Sequence, residues 1–211
     1  MLLLIDLDNT LVDRSGAFRR WSERWAPANG GGADDVAWLI EIDNDGYEPR
    51  ERFAERIGAR FGRPVDAVLA ELRAGMVDQL EFDPRVGQAL GEAVAAGWSP
   101  VVVTNGRVRQ QEAKLRHTGL DRLVAGWVIS EGAGVRKPDR RIFELAAELV
   151  GQPLTGWMIG DNAELDIGGG AAAGLRTVWL PRGRAWPGDL PYRPTRIAAD
   201  CATAIREALT A

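Results

Sequence analysis

The sequence has little of what several common classes of protein depend on. Its 211 residues include one cysteine, Cys201, and one histidine, His117. One cysteine cannot form an internal disulfide, and neither residue stands in a zinc-binding pattern, which argues against a disulfide-stapled domain and a structural zinc site. A Ser-His-Asp or Cys-His mechanism would have to use His117, which the pattern places in the last turn of a helix, where a positive charge suits the helix dipole.

Long hydrophobic runs and an excess of positive charge are also missing. The apolar opening, residues 1–5, is too short to span a bilayer, contains no basic residue and ends at Asp6. With 26 basic and 30 acidic residues the net charge is −4, which provides no general attraction to nucleic acid or to an anionic membrane. These features predict a cytoplasmic protein that binds neither nucleic acid nor a membrane, and they leave its oligomeric state open.

Short β-rich runs alternate with helical patterns over most of the chain. The runs are residues 2–5, 100–103, 123–129, 157–159 and 177–180, and the helical patterns that follow three of them are residues 107–117, 141–150 and 165–173. Alternation of this kind is typical of a parallel sheet. The sequence therefore predicts an α/β fold with a doubly wound, mainly parallel, Rossmann-like sheet.

The alternation stops between residues 14 and 83. Phe18, Trp21 and Trp25 keep helical spacing there, and no convincing strand is present. The pattern predicts a small all-helical subdomain, residues 14–83, inserted into a core formed by residues 1–13 and 84–211. We expect the tryptophans of this subdomain to fill its core rather than to stack on a ligand.

Polar clusters fall where the predicted strands end. Asp6 and Asp8 end the first run, and because strand side chains alternate between two faces, both carboxylates point to one side. The later clusters are Thr104-Asn105-Gly106, Lys137-Pro138 and Gly160-Asp161-Asn162. Open α/β sheets bind ligands at the carboxyl ends of their strands, so these clusters predict one polar site at that edge.

In their order along the chain, these clusters resemble the motifs of the haloacid dehalogenase-like hydrolases, in the phosphatase branch that carries a helical cap between the first and second motifs. The family's motifs read here as Asp6-Leu7-Asp8-Asn9-Thr10, Thr104, Arg136-Lys137-Pro138, and Gly160-Asp161 continuing to Asp166. The resemblance extends from the first predicted strand to Leu180. Four motifs in the right order are far more specific than any one of them alone.

The resemblance implies an Mg²⁺-dependent phosphomonoester hydrolase that works through an aspartyl-phosphate intermediate. Phosphate esters are dianions that repel nucleophiles, so such a site needs positive charge. Asp6 would be the nucleophile and Asp8 the general acid and base. The Asp6 and Asp161 carboxylates and the Asp8 backbone carbonyl would be the ligands of Mg²⁺, a hard cation that prefers oxygen.

The other motif residues would support the phosphate and the metal. The Thr104 hydroxyl and the Asn105 backbone N–H would grip the transferring phosphate. Lys137 would reach the same phosphate oxygens and would also neutralise the Asp6, Asp8 and Asp161 cluster. Asp166 would lie next to the metal ligands without being one of them, and it would orient metal-bound water or Lys137.

The resemblance also implies that the inserted helices form a mobile cap that closes over the site and selects the leaving group. The candidate substrate-selecting residues are Arg14, Asn44, Tyr47 and Arg107.

Several other functions stay open at this point. A phosphomutase of the same family would have the same four motifs and differ in its cap. A dehalogenase fits less well, because cleavage of a carbon–halogen bond needs no leaving-group proton and would give Asp8 no role. Outside the family, a phospho-acceptor switch would not need the inserted helices, and a silent binding protein would not need every motif residue. The substrate and the preferred divalent metal are also open.

Overall fold

In the computed structural model of the protein, which describes residues 1–210, six strands form one parallel sheet. The strands are β1 (Leu2–Ile5), β2 (Ser99–Thr104), β3 (Gly126–Ile129), β4 (Gly156–Gly160), β5 (Arg176–Trp179) and β6 (Arg196–Ile197), in the spatial order β3-β2-β1-β4-β5-β6. Every neighbouring pair is parallel. The predicted α/β fold with a doubly wound parallel sheet is confirmed.

Ten α-helices lie in the described part of the chain. They are α1 (Arg14–Ala28), α2 (Ala33–Asp43), α3 (Arg50–Phe61), α4 (Val65–Asp78), α5 (Pro84–Ala95), α6 (Val108–Thr118), α7 (Ser130–Ala133), α8 (Arg140–Leu149), α9 (Gly169–Ala172) and α10 (Cys201–Leu209). Short 3₁₀ turns occupy Asn44–Gly46 and Leu120–Arg122, and a π-helical turn occupies Ala163–Gly168. Within residues 1–210, none of these helices combines the length and the apolar character needed to cross a membrane.

The first strand lies in the middle of the sheet, between β2 and β4. Leu2 and Leu4 pack in one hydrophobic cluster with Phe143 of α8. The alternation of strand side chains turns Leu3 and Ile5 to the opposite face, and all four residues of β1 are fully buried. Burial on both faces explains why the first strand reads as an unbroken apolar run rather than as an alternating one.

The order of the strands reverses at β1. β2 and β3 extend the sheet on one side of it, and β4, β5 and β6 extend it on the other. Ligands of doubly wound folds bind at the carboxyl ends of the strands beside such a reversal. Asp6 follows β1, Thr104 ends β2 and Asp161 follows β4, so the topology brings the three residues to one edge.

The chain divides into two compact units. One comprises Met1–Val12 and the chain from Phe82 onwards, and it contains the sheet. The other, Asp13–Glu81, contains α1 to α4, and no strand occurs among its described residues. Its core includes stacked Trp21 and Trp25, whose ring centroids are 5.4 Å apart and whose side chains are buried.

Three segments differ from the sequence-based expectations. Residues 123–125 lie outside β3, because the preceding residues form the 3₁₀ turn Leu120–Arg122 rather than a longer strand. The pattern at residues 165–173 is a π-helical turn followed by α9 rather than one helix. β6 has only two residues, too few to show a period of two in the sequence.

Candidate active site

A buried lysine joins two carboxylates at the carboxyl edge of the sheet. Lys137 Nζ donates to Asp6 Oδ1 at 2.5 Å and to Asp166 Oδ1 at 2.7 Å, and Lys137 is only 2% exposed. Burial lowers the pKa of Lys137, but the Asp166 and Asp6 carboxylates outweigh burial and raise this pKa above its ordinary value. Lys137 is therefore a permanent positive charge at neutral pH.

A third buried carboxylate, that of Asp161, completes a cluster with Asp6 and Asp166. One oxygen from each of the three lies within 4.8 Å of the others. Burial raises the pKa of Asp6 well above its ordinary value; Lys137 lowers it, and Asp166 and Asp161 raise it. The cluster thus holds more negative charge than one lysine balances. Its all-oxygen donors and surplus negative charge fit a hard divalent cation.

Asp8 lies two residues beyond Asp6, and its carboxylate has a different cation as partner. Lys114 Nζ, on α6, donates to Asp8 Oδ1 at 2.7 Å and to Oδ2 at 2.6 Å. Gln111 Nε2, also on α6, donates to Asp8 Oδ2 at 3.0 Å. Lys137 thus contacts Asp6 and Asp166 directly, and Asp8 is paired with Lys114; that Lys137 neutralises Asp6, Asp8 and Asp161 together stays a prediction.

The second motif begins at Thr104, the last residue of β2, and the side chains of Thr104 and Asn105 have different hydrogen-bond partners. The Thr104 hydroxyl oxygen accepts a hydrogen bond from Gln111 Nε2 at 2.7 Å. The Asn105 side chain holds the main chain of Lys137, since Nδ2 donates to the Lys137 carbonyl at 3.1 Å and Oδ1 accepts from the Lys137 N–H at 2.9 Å. Only the backbone of Asn105 was expected to act. Its side chain positions the lysine as well.

The turn after β4 determines where the two acids of the fourth motif lie. The Asn162 N–H donates to Asp166 Oδ2 at 2.9 Å. Gly160 leaves room for Asp166, because a Cβ at residue 160 would lie 2.3 Å from the Asp166 carboxyl carbon. Arg184 Nη2 donates to Asp161 Oδ2 at 2.8 Å and to the Asp161 carbonyl at 2.7 Å. Asp161 therefore has a cation of its own, on the chain segment that follows β5.

Sequence reasoning missed three residues of this site: Gln111, Lys114 and Arg184. Gln111 and Lys114 are three residues apart and so share one face of α6. A compositional signal was also available, because the chain has two lysines among its 26 basic residues, Lys114 and Lys137, and both contact site carboxylates. Arg184 lies outside the helices and strands, and no pattern in the sequence distinguishes it from the other arginines.

The candidate substrate-selecting residues fall in different environments. Arg14 is buried, and its Nη2 donates to Asp43 Oδ1 at 2.7 Å within the helical unit. Asn44 and Tyr47 are exposed in the same unit, and Arg107 is exposed just before α6. A substrate-selecting role for these residues stays a prediction.

Comparisons with known proteins agree with this geometry. The family model of the haloacid dehalogenase-like hydrolases matches residues 1–174. A phosphoserine phosphatase from Thermus thermophilus is 32% identical over 222 aligned residues, which cover 86% of this chain and 89% of the relative. Pyrimidine 5'-nucleotidase YjjG from Escherichia coli is 46% identical over 81 residues, 37% of this chain and 36% of the relative.

A solved structure shows the same fold over almost the whole chain. It is that of the HAD-hydrolase YfnB from Bacillus subtilis bound to magnesium, which has a TM-score of 0.75 and 22% identity and covers 98% of this chain and 97% of its own. The matched family model, the phosphatase relative and this shared fold lead to one conclusion: the chain belongs to the haloacid dehalogenase-like hydrolases, in their phosphatase branch.

Proposed function

We propose that this hydrolase releases phosphate from a small phosphorylated metabolite, with Mg²⁺ held by the Asp6 and Asp161 carboxylates and the Asp8 carbonyl. The observation that carries the proposal is the difference between two neighbouring carboxylates. Asp6 lies in a buried acidic cluster beside Lys137, whereas half-buried Asp8 is paired with Lys114. Two-step hydrolysis needs this division, with one carboxylate as nucleophile and the other as proton carrier.

The reaction proceeds in two displacements at phosphorus. An Asp6 carboxylate oxygen forms a bond to phosphorus while the bond from phosphorus to the leaving oxygen breaks, and Asp8, which must carry a proton before this step, gives that proton to the leaving oxygen. Asp8 then takes a proton from the water that attacks phosphorus, and the bond between Asp6 and phosphorus breaks. Mg²⁺, when bound, supplies positive charge that offsets the repulsion between Asp6 and the phosphate dianion.

The remaining residues hold the transferring phosphate. The Thr104 hydroxyl accepts from Gln111, so its own hydrogen is available for a phosphate oxygen. The Asn105 backbone N–H is a second donor, and Lys137 adds a positive charge that Asp6 and Asp166 keep in place. Two relatives are named as a phosphoserine phosphatase and a pyrimidine 5'-nucleotidase. These names support the proposal that the substrate is a small phosphorylated molecule.

Phosphate release from a panel of esters tests the proposal. The panel combines 4-nitrophenyl phosphate with phosphoserine, sugar phosphates and nucleoside monophosphates, each assayed with Mg²⁺ and with EDTA. We expect release that requires the metal and that disappears in Asp6→Asn, while the fold of this variant stays intact by circular dichroism. Full activity in EDTA or in Asp6→Asn would contradict the proposal.

The same panel addresses the alternatives that the sequence leaves open. A rearranged phosphate ester without free phosphate would indicate the phosphomutase. The role of the helical residues 14–83 as a substrate-selecting cap is part of the proposal, and Asn44→Ala and Tyr47→Ala should then change the ranking of substrates more than they change the hydrolysis of 4-nitrophenyl phosphate.

A further inference from the structure

Two buried polar side chains of α6 hold the carboxylate of Asp8. Lys114 is 6% exposed and Gln111 is 2% exposed. Together they make three hydrogen bonds to Asp8, two from Lys114 Nζ and one from Gln111 Nε2, between 2.6 and 3.0 Å long. Both carboxylate oxygens are engaged, so rotation of the carboxyl group is restrained, while the Asp8 side chain is still 26% exposed.

Stability alone does not explain this pair. Removing an ammonium and an amide from water is costly, and well-packed apolar residues in place of a buried ion pair are often as stabilising or more so. Arginine also supplies 24 of the 26 basic residues of the chain, yet this position carries one of its two lysines. A lysine ammonium is a compact point charge on a flexible stem, whereas the arginine guanidinium is a larger planar fork, so the two do not fill this position in the same way.

Gln111 also connects Asp8 to the second motif. Its Nε2 carries two hydrogens, and Nε2 donates to Asp8 Oδ2 at 3.0 Å and to Thr104 Oγ1 at 2.7 Å. One amide group therefore sets the distance between the expected proton carrier and the hydroxyl expected to grip the phosphate. The accepted hydrogen bond also leaves Thr104 to donate.

We propose that Lys114 and Gln111 are positioning residues that hold the Asp8 carboxyl in line with the oxygen of the leaving group. The inference rests on the proposed phosphatase function and extends it to two residues outside the four family motifs. Neither residue touches the reacting phosphorus in this scheme; both act through Asp8, and Gln111 acts through Thr104 as well.

The dependence of rate on the leaving group separates positioning from simple structural support. An alkyl alcohol leaves only with a proton, whereas 4-nitrophenolate leaves almost without one. The alkyl substrate is phosphoserine, glycerol 3-phosphate or cytidine monophosphate, whichever the wild-type protein hydrolyses best. For this substrate we expect Lys114→Met to lower kcat/KM about 100-fold, because misplacement of a reacting group by about 1 Å costs that much. For 4-nitrophenyl phosphate the expected loss is about threefold or less. Gln111→Met should show the same inequality, and Lys114→Arg should recover part of the alkyl activity.

Pre-steady-state kinetics give a second readout. Asp8 is also the base that activates water in the second displacement, so slow hydrolysis of the aspartyl-phosphate should follow rapid release of nitrophenol. Lys114→Met should therefore show a burst of about one nitrophenol per chain before the steady state. The matched control is Arg116→Met, which removes an exposed positive charge from the same helix, where Arg116 pairs with Glu112.

The outcomes are distinguishable. If the wild-type protein releases no phosphate from any ester with Mg²⁺, the proposed function fails before any variant is made. If the wild type is active but Lys114→Met and Gln111→Met lose the same factor on aryl and alkyl esters, or lose nothing on either, the positioning role is overturned. Thermal unfolding of each variant completes the test, because a failure of both to fold would show that the pair stabilises the core instead.

Discussion

Replacement of Lys137 by methionine tests the electrostatics of the site most directly. Methionine nearly preserves the volume of the side chain and removes its charge, so the Asp6 and Asp166 carboxylates lose the ammonium that now lies 2.5 and 2.7 Å from them. All three side chains are buried. Removing one partner from a buried ion pair costs about 3–5 kcal/mol, because the remaining charge is left uncompensated.

The loss should be visible as a shift in thermal unfolding. For a chain of this size, about 1 kcal/mol corresponds to roughly 2–4 °C in Tm, so we expect the transition of the sheet-containing unit to fall by about 6–20 °C in EDTA at pH 8. Calorimetry measures this shift. The control is Arg85→Met, which breaks an exposed ion pair with Asp83 and should cost less than about 1 kcal/mol.

The effect should depend on pH with a defined sign. Burial already raises the pKa of Asp6, and loss of Lys137 raises it further. A carboxyl group whose pKa is raised on folding contributes stability that is present at low pH and is lost as the pH rises through the folded pKa. The difference between Lys137→Met and wild type should therefore shrink as the pH is lowered from 8 towards 5. A shift no larger than that of Arg85→Met at pH 8 would refute the reasoning.

Three further predictions concern other parts of the molecule. Gly160→Ala places a Cβ 2.3 Å from the Asp166 carboxyl carbon and should lower kcat about 100-fold, whereas Gly91→Ala, with open space around it, should not; phosphate release measures both. Asp8→Asn should abolish alkyl ester hydrolysis and keep the wild-type circular dichroism spectrum. Asp43→Asn should destabilise the helical unit by about 3–5 kcal/mol at pH 7, because Arg14 and Arg50 both bind this buried carboxylate. Burial raises the pKa of Asp43, but the two arginines lower it below its ordinary value, so urea unfolding curves of variant and wild type should converge as the pH falls through that lowered pKa.

Much of the fold follows from local patterns in the chain. The apolar run Leu2–Ile5 needs only burial on both faces to be a central parallel strand, and the alternation of strands with helices then leaves few topologies. Short elements escape this reasoning. β6 is held by pairing with β5 rather than by any period of its own, and the π-helical turn Ala163–Gly168 starts where the Asn162 side chain caps two backbone N–H groups.

The candidate site also has a part that local patterns predict and a part that they do not. Asp6, Thr104 and Asp161 lie at the carboxyl ends of strands, so their convergence is a consequence of parallel topology and could be predicted. Which cation pairs with which carboxylate could not be predicted. Lys137 reaches Asp166 across 29 residues, and Lys114 reaches Asp8 across 106, and such distances along the chain carry no periodic signal.

The sequence by itself determined the class of fold, the order of the four motifs and the polar edge on which they meet, because these depend on patterns that repeat over a few residues. Only the tertiary structure decided that Lys114 and Gln111 hold Asp8. It also decided that the Asn105 side chain hydrogen-bonds to the main chain of Lys137 and that Arg184 binds Asp161. These contacts depend on the positions of separate elements on the sheet. Hydrogen-bond and ion-pair geometry is sensitive to fractions of an ångström, and folding of the whole chain sets distances on that scale.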